Sequence, residues 1–445
     1  MNLKRPFPGM WRFPTNPEIC CIYRVPDCPR SVNPEAYTPQ LLLIGPLNHS
    51  LKSQAFKSPG DVTYTMSTGY LNMEECKKIY LAEFTRRVVG GENTIKVFMR
   101  MIEEDEDRIR ENIRFFGAKT GYGYGYPRIT DINLRPRESY SESSAWIESQ
   151  EFVKMILHDC VFILELILRT LERGREKTGD PIMDMPCLEV IVKSDLMLLE
   201  NQLPYFILEK LFDPVVPKFQ KLIINYFNFG GKIGNKSKFR HFTDLFRCVR
   251  VETLQGLPPR KFKLIEHMYN AVKLHSGGVK FEAVENEYSL YVRFENGCLK
   301  MPCFVVHDHE ERILRNIMAL ENCHYPYEAH VCTYMIFLDY LIDTEKDVDM
   351  LVEKGIIRNW IGQHSLVAEM VNKLCVGIMD NGSYCSDTSV EVNAYYSSPF
   401  NRSRAVLKRV YFGNMWIGTA TVAAMLLLLM TLVQTVASII QVKQK

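Results

Sequence analysis

Three acids set among apolar neighbours carry the greatest potential for chemistry. They are Asp159 and Glu165 in EFVKMILHDCVFILELILRTLER (151–173) and Glu200 in DLMLLENQLPYFILEKLF (195–212). Asp159 lies three residues after Ile156 and four before Ile163, so helical spacing points it into a packed face. Glu165 is flanked by Leu164 and Leu166. Carboxylates in a low-dielectric pocket can do acid–base work, because desolvation moves their pKa towards neutrality. The same burial makes an isolated charge so costly that a cation or several donors must surround it. For Asp159 and Glu165, structural ion pairs with Arg24, Arg30 or Lys77 as partners are the favoured reading; Glu200, with Asn201 and Gln202, reads as a buried polar latch of a helical hairpin, and no catalytic residue is assigned.

Other constellations are weaker. His307-Asp308-His309 could set two imidazoles on one side, but two ligands do not make a metal site, and a surface turn is favoured. GGKIGNKS (230–237) resembles a phosphate loop, yet Asn235 intervenes between Gly234 and Lys236 where G-K-[ST] is required. GYGYGYPRI follows no strand and lacks the G-x-G-x-x-G spacing. No G-x-S-x-G, H-E-x-x-H or zinc-ligand spacing occurs, so no cofactor or metal is expected.

The elements that would position these residues are mostly helical. Residues 1–50 are proline-rich and read as an extended arm with turns. A helical pattern starts at Met73, and 117–147 read as a long loop or mobile insertion. The 151–173 run is apolar on most sides, which demands burial. In 195–212 two apolar runs are interrupted by Glu200-Asn201-Gln202 and Pro204. The proline must break the helix, and Asn201 is placed to cap the second run. Leu290, Val292 and Phe294 alternate with polar residues, Asn296-Gly297 suits a type I′ turn, and Leu299, Met301 and Cys303 return. This pairs Phe294 with Leu299 and Val292 with Met301, with Pro302 demoting the return strand to an edge. The stretch from Arg312 to about Ile378 reads as helical, with a helix start at Thr344-Glu345-Lys346-Asp347, and 380–403 as a polar linker.

From Trp416 to Ile440 the chain runs 25 residues without a charge. At about 1.5 Å per residue that exceeds the roughly 30 Å of bilayer hydrocarbon, so it reads as a transmembrane helix. Arg402, Arg404, Lys408 and Arg409 precede it and only Lys443 and Lys445 follow, which favours a cytoplasmic body. The proline-broken start MNLKRPFPGMWRFP does not read as a secretory signal. The alternative is an external body, in which sequons at Asn48, Asn235, Asn381 and Asn401 would be potential glycan sites.

Composition agrees with a globular body on an anchor. Of 445 residues, 47% are hydrophobic and 24% charged, enough apolar surface for a sizeable core. Lys and Arg number 54 against 52 Asp and Glu, so no basic excess points to nucleic acid. The thirteen cysteines are odd in number, include no C-x-x-C pair, and read as reduced thiols in apolar surroundings. The fold class is therefore mainly α: a multi-helix globular body with a small antiparallel β-hairpin, plus one C-terminal transmembrane helix. Its expected parts are an arm (1–19), a helical domain (20–380, one unit or two packed lobes, 20–228 and 239–380), a linker with basic flank (381–415), the span (416–440) and a tail (441–445).

Ordered blocks along the chain carry a resemblance. They are Arg24-Val25-Pro26 with Tyr37 and Pro39, Ile44-Gly45-Pro46 with His49, Met73-Glu74 with Lys77, and Asp159-Cys160 with Phe162 and Glu165-Leu166. Next comes DLMLLENQLPYFILEKLF, which holds Asp195, Glu200, Asn201, Gln202 and Pro204. Gly278 to Phe281, Asn296-Gly297 with Pro302, Arg315-Asn316 before Ala319-Leu320-Glu321, Asp347-Val348 and Gly355-Ile356-Ile357 follow. Tyr411-Phe412, Trp416 and Gln434-Thr435-Val436 close the series. The chain resembles the plant domain-of-unknown-function 247 family over about residues 20–440. It departs from the family pattern in lacking a glycine between Asp159 and Cys160, in Leu47-Asn48 before His49, and at His309.

The resemblance implies a mostly helical body, plant origin, membrane attachment and no established enzymatic activity. Some grass members are pollen determinants of self-incompatibility, but these blocks do not single out such members. Two functional classes follow: a non-enzymatic recognition or interaction protein with an unknown protein partner, which is favoured, and an enzyme using Asp159, Glu165 and Glu200. The one partner read directly from the residues is the lipid bilayer, through 416–440.

Overall fold

The uniformly apolar run becomes a helix, Ser149–Glu172, with fourteen buried residues between Phe152 and Ile167. The computed structural model describes residues 8–12, 17–57, 66–88, 91–116, 136–174, 176–216, 218–234, 237–254, 263–284, 288–411 and 415–443. A helix without a polar face must be enclosed, and Met66–Arg87, Gly91–Phe116, Tyr205–Phe212 and Phe219–Tyr226 pack around this one. Aromatic rings knit that shell: Tyr80 stacks on Phe162 at 5.0 Å, and Phe84, Phe98, Phe212 and Phe219 form a chain of ring contacts. One continuous cluster of buried apolar residues runs from Leu42 to Val392.

The proline-rich stretch is extended with short turns, as expected, but it is an interior strap: Ile22, Val25, Tyr37, Leu42 and Ile44 are all buried. Of the expected 117–147 loop, 117–135 lie outside the described residues. The described remainder is no mobile insertion, since Tyr140 and Ile147 are buried.

Five short strands occur among the described residues: β1 (Lys280–Val284), β2 (Arg293–Glu295), β3 (Cys298–Pro302), β4 (Phe304–Val306) and β5 (Ile357–Asn359). The expected hairpin is present, with Phe294 opposite Leu299. Asn296 and Gly297 both have positive φ, 52° and 78°, as a type I′ turn requires. β2 begins only at Arg293, so Val292 lies just outside the ladder, although it and Met301 are both fully buried. The edge assignment fails. β3 is central, with β1 parallel on its other side, and Pro302 is tolerated because it ends β3 beyond the last β2 pair, Arg293–Lys300. The stretch from Arg312 is likewise interrupted, since β5 pairs in parallel with β4 between the helices Glu345–Glu353 and His364–Leu374. Thr344 and Asp347 form the expected capping box.

Residues 380–403 are not a linker. They hold a helix, Ser386–Ser397, whose Val392 is fully buried, and Tyr384 just before it donates to the Leu290 carbonyl at 2.6 Å. The helix Met415–Lys443 contains the Gly418–Gln441 stretch of mean hydropathy 2.2, none of it buried against the body; it is long and apolar enough to cross a membrane. None of the thirteen cysteines forms a disulfide among the described residues, and six are buried.

The hairpin turn yields a first expectation. A Cβ on Gly297 would lie 2.6 Å from Tyr395 Oη, in a conformation that side chains rarely adopt. Gly297→Ala is expected to cost about 1–2 kcal/mol in backbone strain alone, and more from the clash. Thermal melts should show Tyr395→Leu recovering part of the loss in the double variant; an unchanged melting temperature for Gly297→Ala would contradict the turn.

Candidate functional site

Residues 196–204, where the helix Pro186–Asp195 ends and Tyr205–Phe212 has not begun, cross the interior without a helical hydrogen-bond ladder. Buried backbone donors and acceptors must nevertheless be paired. Side chains of this segment do the pairing, chiefly with the strap. Asn201 donates to the carbonyls of Leu42 (2.8 Å) and Asp195 (2.9 Å) and accepts from the Ile44 amide (2.6 Å) and Asn48 Nδ2 (2.9 Å). Gln202 donates to the Leu196 and Leu198 carbonyls, both at 2.7 Å, and accepts from the Phe242 amide at 2.9 Å. The expected cap is therefore corrected: Pro204 itself is the N-cap residue of the second helix, without a side-chain bond, because every polar atom of Asn201 is engaged elsewhere.

The acids are engaged as fully. Asp195 accepts from the amides of Gln40, Leu41 and Leu42 and from Arg312 Nη2 at 2.9 Å. Glu200 accepts from the Val25 amide at 2.6 Å, from Arg24 Nη1 at 3.0 Å and from Arg30. Arg24 also forks onto Glu142 with two bonds of 2.8 Å. Burial disfavours the Arg24 charge, but Glu142 and Glu200 outweigh it and raise its pKa. Pro26 lies beside this cluster as N-cap of the short helix Asp27–Val32, and Tyr37 packs under the Arg30 guanidinium.

Asp159 stands at the neighbouring corner. It accepts from Lys77 Nζ at 2.6 Å and from the Gly45 amide at 2.9 Å. Lys77 also donates to the Leu43 carbonyl and to Glu74. Burial lowers the Lys77 pKa, and Asp159 and Glu74 more than reverse this, so the ammonium is held charged in the interior. Gly45 has φ 70°, and an added Cβ would lie 2.6 Å from the Gln202 carbonyl oxygen. Pro46 then opens a 3-10 turn whose Asn48 reaches the Glu200 carbonyl. Asn316 closes the far side, accepting from the Leu199 amide and donating to the Ala36 carbonyl, both at 2.9 Å.

The structure thus gathers Arg24, Gly45, Asp159, Asp195, Glu200, Asn201, Gln202 and Asn316 around one crossing. It leaves others apart. Glu165 meets Arg169 at 3.3 Å and Arg87 at 3.5 Å; its second oxygen has no hydrogen-bond partner, and burial raises its pKa. Glu321 accepts from Arg247 and the Val331 and Cys332 amides. Asn296-Gly297 serve the hairpin. Sequence reasoning missed Glu142, Asn48 and Arg312; Arg312 stands one helical turn before Asn316, the only signal that could have found it.

These bonds leave the network little open capacity. Neither of two cavities among the described residues is lined by Asp159, Glu165 or Glu200. One of about 500 Å³, among Gly234, Ser237, Lys238, Arg247 and Glu252, is within the size of ordinary ligand pockets. The other, of about 100 Å³, lies among Arg250, Tyr288, His307, Glu310 and Tyr334, below the roughly 300–1,000 Å³ of ordinary ligand pockets. Among the described residues no group of three or more His, Cys, Asp or Glu could hold a metal ion. His307, Asp308 and His309 form an exposed turn.

The family DUF247, plant protein of unknown function, matches residues 22–430. A UPF0481 protein of Arabidopsis thaliana is 24% identical over 460 residues, 95% of this chain and 87% of the relative. A second UPF0481 protein of that species is 26% identical over 190 residues, 42% of this chain and 36% of the relative. No solved structure matches the chain.

Two expectations arise from the network. Asp159→Ala should destabilise by about 3–5 kcal/mol, the cost of breaking a buried pair. Asp159→Asn should cost less, and Asp159→Leu with Lys77→Met should recover much of the loss. Thermal melts decide; equal melting of all variants would contradict the ion pair. The second concerns His241, buried at the N-terminus of Phe242–Val251, which accepts from the Asp244 amide and bonds the Cys21 carbonyl. Burial pushes its pKa down from 6.5 to about 3. The unfolded chain therefore takes up the proton first, so stability present above pH 6.5 falls by about 1.4 kcal/mol per pH unit towards pH 3. His241→Asn should flatten that slope in melts between pH 6 and 4.

Proposed function

We propose, from the premise that the chain belongs to the plant family DUF247, that it is a membrane-anchored, non-enzymatic recognition or interaction protein. The observation that carries this reading is the engagement of the acids gathered at the interior crossing. Asp159, Asp195 and Glu200 are consumed in bonds that hold backbone to backbone, which favours a scaffold over an active site. Recognition would then fall to surface segments on a rigid helical body.

The anchor supports the setting. No residue of the Gly418–Gln441 stretch is buried, and an apolar helix of that length is stable when lipid covers it. The four basic residues at 402–409 favour a cytoplasmic body. Asn48, one of the sequon asparagines, is buried against Glu200 and Asn201 and would have to leave the network to carry a glycan.

Deleting residues 412–445 is expected to move the protein from the carbonate-resistant membrane fraction to the soluble one; continued sedimentation would refute the single anchor. A mobility shift on endoglycosidase treatment, abolished by Asn381→Gln and Asn401→Gln, would reverse the orientation. For the non-enzymatic reading, Glu165→Gln should restore any phenotype of a null plant. Failure to do so with an unaltered melting curve would make that acid functional.

A further inference from the structure

The helix Pro399–Tyr411, between the body and the apolar span, has one face exposed among the described residues. Its inner face is set by packing: a Cβ on Gly278 would lie 3.0 Å from Ala405 Cβ and 3.6 Å from the Asn401 carbonyl oxygen, so Asn401 and Ala405 look at the body. At 3.6 residues per turn, Phe400, Leu407 and Val410 fall on the opposite side, with Val406 beside them. Their exposures are 74%, 53%, 50% and 41%, large for apolar side chains on a helix otherwise seated on the fold. Arg402 and Arg404 project on the two flanks of this stripe, both exposed. The helix sequence adds Lys408 and Arg409 and contains no acid.

We infer that this helix lies in the headgroup region of an anionic membrane leaflet, its apolar stripe among acyl chains and its arginines on lipid phosphates and carboxylates. An apolar face bordered by cations is the pattern that lies in the plane of a membrane surface. Basic residues beside a span are drawn to anionic lipid. Two observations select lipid over protein as the occupant: the charge of the flanks, and continuity with the helix Met415–Lys443, which begins four residues after Tyr411. The consequence is mechanical. Ala405 against Gly278 fixes this helix to the body, so its immersion holds the body close to the membrane in one orientation, not on a free tether. The inference rests on the anchor reading for its proximity to lipid.

The test uses the full chain, one copy per nanodisc, in phosphatidylcholine with or without phosphatidylserine, with a photoactivatable acyl chain on the lipid. Adducts are mapped by mass spectrometry. Residues 418–441 should be labelled in both discs, and 399–411 mainly in those with phosphatidylserine. Arg402→Glu with Arg404→Glu should cut the 399–411 adducts by roughly an order of magnitude, leaving those on 418–441 and the melting curve unchanged. Labelling of 418–441 alone overturns the inference while the anchor stands. Labelling of neither segment removes the anchor and the inference together. In discs loaded with two copies, protein–protein adducts on 399–411 in place of lipid adducts would assign the stripe to a second copy and also overturn it.

Discussion

Two non-helical segments meet in the interior of a helical protein, and each must satisfy the other's backbone. Residues 38–45 of the strap and the crossing between Leu196 and Pro204 have no helical ladder of their own. Each buried donor or acceptor left unpaired would cost about 1–3 kcal/mol. The amide of Asn201, with two donors and two acceptor positions, closes four of these demands at once. Asp195 collects three successive strap amides. Gly45 permits the approach, because its missing Cβ leaves room for the Gln202 carbonyl. The remaining polar residues of the cluster are arranged around this contact.

Charge follows from that geometry. A carboxylate that accepts backbone amides in the interior still needs a counter-charge. Lys77 supplies it for Asp159, Arg24 and Arg30 for Glu200, and Arg312 for Asp195. These cations come from different parts of the chain, so the network joins the strap, the Met66–Arg87 helix and the Glu310–His324 helix to one crossing. Such a network is valuable only when complete, since removing one partner strands the other.

At the other end of the chain the solvent logic reverses. The body buries one continuous apolar cluster, whereas the Met415–Lys443 helix exposes Leu426 to Met430. The amphipathic helix Pro399–Tyr411 lies between these regimes, packed on the body by one side and apolar on the other.

Local patterns determined much of this from the residues alone. Uniform apolarity marked the Ser149–Glu172 and Met415–Lys443 helices, Asn296-Gly297 marked the hairpin, and Thr344 to Asp347 marked a helix start. Each signal needs only neighbours within a turn or two. The expectation that Asp159 would be ion-paired also followed from burial, and Lys77 was among the partners named for it; Arg24 and Arg30, named for Asp159 or Glu165, pair with Glu200 instead, and Glu165 meets Arg169 and Arg87. Only the tertiary structure decided which cation met which acid, and that Asn201 binds the strap instead of capping a helix. It also decided that β3 is central and that 386–397 is a packed helix. Parallel pairing of β1 with β3, and of β4 with β5 some fifty residues on, leaves no trace in periodicity, because the two strands meet only through the fold. The same holds for Glu142 and Arg312: their roles are set by distance across the interior, which spacing along the chain does not encode.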